Sequence, residues 1–428
     1  MNYLGVFLLG IVTIFQTTCG NAQPNESMVK GDGIIKSGAD RMEVYLPLIK
    51  GKKVGIFANH TSLVGKTHLV DTLLAKGINV VMIFAPEHGF RGEADAGEKV
   101  GNTKDSKTGI DIISLYGSKR RPSVEDLQKV DVLIFDIQDV GLRYYTYISS
   151  LEELMNAAIE NAKPLLVLDR PNPNGFYVDG PVLEKPFKSF VGMQPVPIVY
   201  GMTIGEYGMM LVGEKWLSAK ANKNMETFQN SVPTADTPFH FQVIKCAEYT
   251  HKSKYELPVA PSPNLPNMQS IYLYSSTCYF EGTDVSLGRG TDKPFQVYGH
   301  PTMPKNLFSF TPRSVAGAKN PPQLNKTCYG ADLSKEEIDI NQPEWQRIQL
   351  KYLMNAYQLF PDKSKFFLTT KDKPQPQDYF FNKLTGNALL MEQLKSGVSE
   401  AEIRKSWEPG LAAFKVIRKK YLLYPDFE

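Results

Sequence analysis

Between residues 53 and 169 the chain alternates short apolar runs with stretches of helical periodicity. Residues 54–58, 79–85, 131–137 and 164–169 are rich in β-branched side chains and bounded by turn formers, the pattern of parallel strands covered on both faces. Between them Leu69, Leu73 and Leu74, and later Ile148, Leu151, Met155, Ala158, Ile159 and Ala162, fall at helical spacing. Ser123 followed by Glu125 and Asp126 marks another helix start. Repeated βαβ units predict a parallel sheet with right-handed crossovers. A further helix is expected over 203–217 and a strand over 241–245.

Residues 257–266 hold four prolines in ten positions, which block both helix continuation and central strand pairing. They mark the expected boundary between a first unit, 23–258, and a second, 259–428. Beyond it the texture changes: 272–279 is rich in aromatic and hydroxyl side chains, a Gly-rich loop follows, and helices are expected over 345–360, 388–394 and 399–421. The last opens with Ser399 and Glu402 at capping-box spacing, and Pro409 is expected to kink or divide it.

The whole chain has 428 residues, 42% hydrophobic and 22% charged, which are globular proportions and exclude wholesale disorder, collagen-like repeats or a coiled-coil rod. A formal net charge of +3 gives no electrostatic reason to expect nucleic acid as a partner. Function therefore has to sit in a local site.

The first 22 residues carry no charged side chain, and their apolar run over 3–15 is shorter than the ~20 residues of a bilayer span. This is the pattern of a secretory signal over 1–22. Gly20 and Ala22 suit cleavage before Gln23, whereas Cys19 followed by Gly20 resembles a loosely written lipoprotein box. The expected location is outside the cytoplasm, periplasmic or as an outer-membrane lipoprotein anchored through a lipidated Cys19. The other cysteines, Cys246, Cys278 and Cys328, show no CxxC spacing and are expected to be buried free thiols.

Chemistry collects just after the strands. Residues 86–93 contain Glu87, His88 and Arg91; 138–144 contain Asp139, Arg143 and Tyr144, just past Asp136; and 169–175 contain Asp169, Arg170 and Asn172. In open α/β sheets ligands bind outside the carboxyl ends of strands, so these acid- and arginine-bearing loops should converge on one crevice. Several familiar sites are missing. Gly65-Lys66-Thr67 lacks the first glycine of a phosphate-binding loop, whose place falls on His60, and no strand is followed by GxGxxG. Neither HExxH nor GxSxG occurs, so no metal or cofactor is expected. Carboxylates alone suit glycoside hydrolysis, in which an acid protonates the leaving oxygen and a second group handles the anomeric centre. Tyr144, Tyr145 and Tyr147 suit it too, since rings pack on the apolar faces of sugars.

Five segments carry a more specific resemblance: 84–99 (FAPEHGFRGEADAGEK), 135–147 (FDIQDVGLRYYTY), 169–174 (DRPNPN), 280–295 (FEGTDVSLGRGTDKPF) and 407–424 (WEPGLAAFKVIRKKYLLY). In this order they resemble the exo-β-N-acetylmuramidases of the NamZ type, over nearly all of the chain from residue 51 onward. The resemblance implies an α/β protein with a Rossmann-like catalytic domain and a smaller α+β C-terminal auxiliary domain, the cleft lying between them. It also implies release of N-acetylmuramic acid from the non-reducing end of peptide-free peptidoglycan chains, an activity suited to cell-wall recycling. The family's PEHG glutamate falls on Glu87, the expected catalytic acid; Glu281, Asp139 and Asp136 remain candidates for the second group.

N-acetylmuramic acid bears a lactyl carboxylate, for which a bidentate arginine is the natural partner. Arg91, Arg143, Arg170 and Arg289 lie in the motif loops and are the candidates, with His88, Tyr144, Tyr147, Asp169 and Asn172 as further expected contacts to a peptidoglycan-derived glycan. Two other classes could use such strand-end loops: a metal-dependent phosphoesterase, and a muropeptide-binding protein without turnover.

Overall fold

The computed structural model describes residues 33–86, 89–90, 101–229 and 239–428; the expected signal segment, with Cys19, lies outside the described residues. In chain order the strands are β1 (Lys53–Ala58), β2 (Leu63–Val64), β3 (Thr67–His68), β4 (Asn79–Ala85), β5 (Thr103–Lys104), β6 (Asp111–Ser114), β7 (Val132–Asp136), β8 (Leu165–Leu168), β9 (Phe241–Ile244), β10 (Val297–His300), β11 (Phe308–Phe310) and β12 (Cys328–Asp332). β5-β6-β4-β1-β7-β8-β9 form one sheet, parallel throughout except at β5, which runs antiparallel to β6 at the edge. The chain builds outward from β1 through β4 to β6, then crosses back to lay β7, β8 and β9 on the other side. That reversal places a topological switch point beside β1, where doubly wound sheets hold their ligands.

Strand alternation divides the interior into two layers. Val54, Ile56 and Ala58 of β1 face the helices Met42–Ile49 and Leu69–Ala75. Phe57, with Phe84 and Phe135 in register beside it, faces the helices Tyr147–Glu160 and Ile204–Gly213. The rings of Phe57 and Phe135 stack at 5.1 Å. All five residues from Val54 to Ala58 are buried, which is why β1 has the near-continuous apolar run of a central parallel strand. The four strands, the helices expected around 69–74 and 148–162 and the 241–245 strand are all present within a residue or two, whereas the helix expected over 203–217 is the shorter Ile204–Gly213 and that expected over 345–360 is Leu350–Leu359. Thr203 caps it and pairs with Glu206 in a capping box.

The C-terminal part holds the helix Met268–Thr277, the antiparallel sheet β10-β12-β11 and the helices Leu350–Leu359, Phe380–Thr385, Leu389–Lys395 and Glu400–Arg418. Its core takes in Val140, Leu142, Tyr144 and Phe176 from the first part of the chain. Ser399 and Glu402 form the expected capping box. Pro409 does not divide the helix Glu400–Arg418, contrary to one of the two expectations. It lies on the exposed face, where water can take up the carbonyl freed by the missing N–H. Cys246, Cys278 and Cys328 are buried free thiols, as expected.

Candidate active site

A cleft of about 390 Å³ opens at the carboxyl edge of the parallel sheet. One wall comes from the loops after β6 and β7, the other from the proline-rich 257–266 segment and the Gly-rich loop of the C-terminal part. Tyr144, Tyr147, Tyr274 and Phe295 form a buried aromatic floor. Tyr144 meets Tyr274 edge-on at 5.2 Å, and Tyr274 meets Phe295 at 4.7 Å. Their phenols are tied into the frame. Tyr144 donates to the carbonyls of Tyr274 and Ser275 at 3.0 and 2.9 Å, Tyr145 donates to the carbonyl of Pro261 at 2.9 Å, and the Tyr147 hydroxyl accepts from Asn59, just past β1, at 2.9 Å. A floor bonded in this way presents ring surface without adjustable side chains, as a site for a stiff ring needs.

Against this floor stands one ion pair. Arg289 donates through Nη2 and Nε to Glu281 Oε1 at 2.5 and 3.2 Å, and its guanidinium lies 5.0 Å from the ring centroid of Phe295. The two side chains keep 21% and 22% of their surface exposed, so both remain open to a ligand. Glu281, Arg289, Tyr144 and Tyr147 are thus the expected site residues that the structure brings together at the cleft. Glu87, His88 and Arg91 lie outside the described residues; the strand that leads to them, β4, ends at Ala85 beside β1 and β6.

The remaining expected residues are drawn into the frame. Asp136 and Arg170 form a buried bidentate pair at 2.6 and 2.9 Å, and Arg170 also donates to the Leu63 carbonyl. Burial pushes the Asp136 carboxyl up, opposed by Arg170. Arg143 spends its guanidinium on the carbonyls of Pro181, Val196 and Leu384 at 2.9, 2.7 and 2.9 Å, and burial pulls it down to about 10. Asp169 accepts from Thr203, the Gly205 N–H and Tyr424, and burial raises it to about 6. Asp139 accepts from Tyr200 and from the Gly141 N–H, and burial raises it to about 7. Asn172 donates to the Met202 carbonyl and accepts from the Asn174 N–H, both at 2.8 Å. Gly141 has a φ of +76°, and a Cβ there would lie 2.2 Å from the Asn172 amide oxygen, so the glycine in the DVG segment is a packing requirement. None of these six side chains lines the cleft.

Sequence reasoning passed over Arg120, Phe190, Ser262, Asn264, Tyr274 and Phe380, all of which line it. Arg120 follows β6, a four-residue strand whose short Asp111–Ser114 run gave no signal of its own; recognising that strand would have added its loop to the site. Among the described residues no group of three His, Cys, Asp or Glu side chains converges to hold a metal ion.

With this geometry in place, the comparisons with known proteins agree on one family. The N-terminal and C-terminal models of the exo-β-N-acetylmuramidase NamZ match residues 54–269 and 272–424. The peptidoglycan β-N-acetylmuramidase NamZ of Bacillus subtilis is 34% identical over 438 residues, covering 98% of both chains. Crystal structures of two DUF1343 family proteins from Bacteroides fragilis share the fold. One is 46% identical with a TM-score of 0.78, covering 92% of this chain and 100% of its own. The other is 27% identical with a TM-score of 0.73, covering 91% and 99%. The chain belongs to the NamZ exo-β-N-acetylmuramidase family, as its motifs led us to expect.

Proposed function

From that family membership we propose that the protein is an exo-acting glycoside hydrolase that releases N-acetylmuramic acid from the non-reducing end of peptide-free peptidoglycan chains. The observation that carries this reading is the ion pair Glu281–Arg289 set against a fixed aromatic floor at the carboxyl edge of the sheet. A sugar ring packs its apolar face on the tyrosines, and the arginine offers a fork for the lactyl carboxylate.

In the chemistry, Glu87 of the PEHG motif protonates the glycosidic oxygen as the leaving group departs. Glu281 is the second group, either assisting attack at the anomeric carbon or positioning Arg289 on the substrate. Asp136 and Asp139 are less suited to the role, since both are fully sequestered beneath the loops. Arg289 is the best-placed partner for the lactyl group, since Arg143 and Arg170 are committed to buried acceptors.

The substrate lies outside the cytoplasm, which agrees with the leader. Export through residues 1–22 and lipid anchoring at Cys19 complete the proposal. The test of the activity is product analysis on peptide-stripped glycan. On chains with a muramic acid at the non-reducing end, release of one free N-acetylmuramic acid per chain, leaving an N-acetylglucosamine end, supports it; internal fragments, or no sugar from such chains, would overturn it. Cell fractionation of the wild type and Cys19→Ala tests the anchor, which requires that the variant leave the membrane fraction.

A further inference from the structure

Beyond its floor, the cleft has a rim of different chemistry. Lys119, Arg120 and Arg121 are three consecutive cations after β6. Lys119 is paired with Asp126 at 2.6 Å, and Arg121 with Glu153 at 3.0 Å and Glu160 at 3.6 Å. Arg120 alone of the three turns to the cleft, where its guanidinium lies 4.2 Å from the ring centroid of Phe190 and its Nε donates to the Gly117 carbonyl at 3.3 Å. Among the described residues no carboxylate pairs with it. Phe380, 37% exposed, is on the same lining.

An exo-acting hydrolase encloses one terminal sugar, so the rest of the chain, which is the leaving group, has to run out over the more exposed part of the lining. There Arg120 and Phe380 are exposed, and Phe190, half-buried, lies against the Arg120 guanidinium. Ring surface suits the apolar faces of aminosugars, and a guanidinium held flat by a ring and a carbonyl is pre-set for a carboxylate. In a peptide-free chain a free lactyl carboxylate recurs at every second sugar, so a cation on the exit path meets one repeatedly.

Resting on the proposed function, we infer that Arg120, Phe190 and Phe380 form leaving-group subsites that bind the sugars beyond the scissile bond, with Arg120 taking the carboxylate of a later muramic residue. The enzyme then selects chains over short substrates through groups remote from the reacting bond.

The test uses the full chain and two substrates: a chromogenic β-N-acetylmuramide, whose aglycone is neither a sugar nor a carboxylate, and a peptide-free glycan of four or more sugars. The readout is the ratio of kcat/KM on the glycan to that on the chromogenic substrate. Arg120→Ala is expected to lower this ratio about fivefold, and Phe190→Ala by a similar factor. Arg120→Lys should recover part of the loss, and added salt should lower glycan turnover more in the wild type than in Arg120→Ala. Ratios unchanged in both variants overturn the subsites. Should the wild type hydrolyse neither substrate, the functional proposal fails separately. The subsites are then judged by affinity for the tetrasaccharide relative to free N-acetylmuramic acid, which must fall in Arg120→Ala.

Discussion

The Tyr424 hydroxyl donates to a carboxylate oxygen of Asp169 at 2.5 Å across 255 positions of sequence, fastening the end of the chain to the end of β8. The same hydroxyl accepts from the Cys246 N–H at 2.8 Å, just past β9. Nearby, Arg418 donates to the Gly201 carbonyl and pairs with Asp426, and the Leu423 N–H donates to Glu206. The C-terminal residues therefore close over the strand ends of the first part, and they belong to its stability as much as to that of the second.

Tyr424→Phe should destabilise the fold by about 2–4 kcal/mol, because it removes both the hydrogen bond to a buried carboxylate and the one accepted from the Cys246 N–H while keeping the ring. Urea unfolding with an unchanged m-value is the measurement. An unchanged midpoint would mean that the strap does not support the sheet edge.

Three of the candidate arginines, Arg143, Arg170 and Arg289, separate by what they touch. Arg170→Ala leaves Asp136 buried and unpaired, a loss of about 3–5 kcal/mol of stability. Arg143→Ala strands three buried carbonyls and should likewise act on stability. Arg289→Ala should instead weaken a muramide about tenfold or more relative to the matching glucosaminide, which lacks the anion. The ratio of affinities for the two sugars, measured in all three variants beside their unfolding curves, decides this. A ratio that stays level in Arg289→Ala assigns the lactyl group elsewhere, to Arg91 first.

Glu87→Gln keeps the shape of the side chain and loses the transferable proton. Turnover of a substrate with a poor leaving group is expected to fall on the order of 100-fold or more, with unfolding and sugar binding retained. Turnover close to that of the wild type would move the acid role to Glu281.

Asp139 offers a test by pH. Its carboxyl is raised from 3.8 to about 7, chiefly by burial and against the hydrogen bonds from Tyr200 and Gly141. Its contribution is therefore fully present below about pH 4, where folded and unfolded chains both hold the proton. It is lost as pH rises toward 7, because the unfolded chain releases that proton first; the change is about 4 kcal/mol. Asp139→Asn has no such proton, so the stability advantage of the wild type over the variant should narrow between about pH 4 and 7. A gap that does not change with pH would show an ionised Asp139 throughout.

Five of the seven strands of the parallel sheet and the main helices packed on it were legible in the chain; the short edge strands β5 and β6 were not. Apolar runs such as that of β1, the helical spacing of Ile148 to Ile159 and the Ser399–Glu402 cap are short-range patterns, and a chain that must cover both faces of a parallel sheet has few other ways to satisfy them. Motif order carried the family as well. The tertiary structure decided which motif residues face the cleft. Arg143 and Arg289 both lie in motif loops shortly after a glycine, yet one is buried on carbonyls that include Leu384, 241 positions away, and the other lies open on Glu281. The sequence also left Arg120 and Phe190 unnoticed, since neither belongs to a motif and both reach the cleft through the packing of separate loops. A side chain's acceptors come from whichever segments the fold brings beside it, and no periodicity along the chain encodes those neighbours.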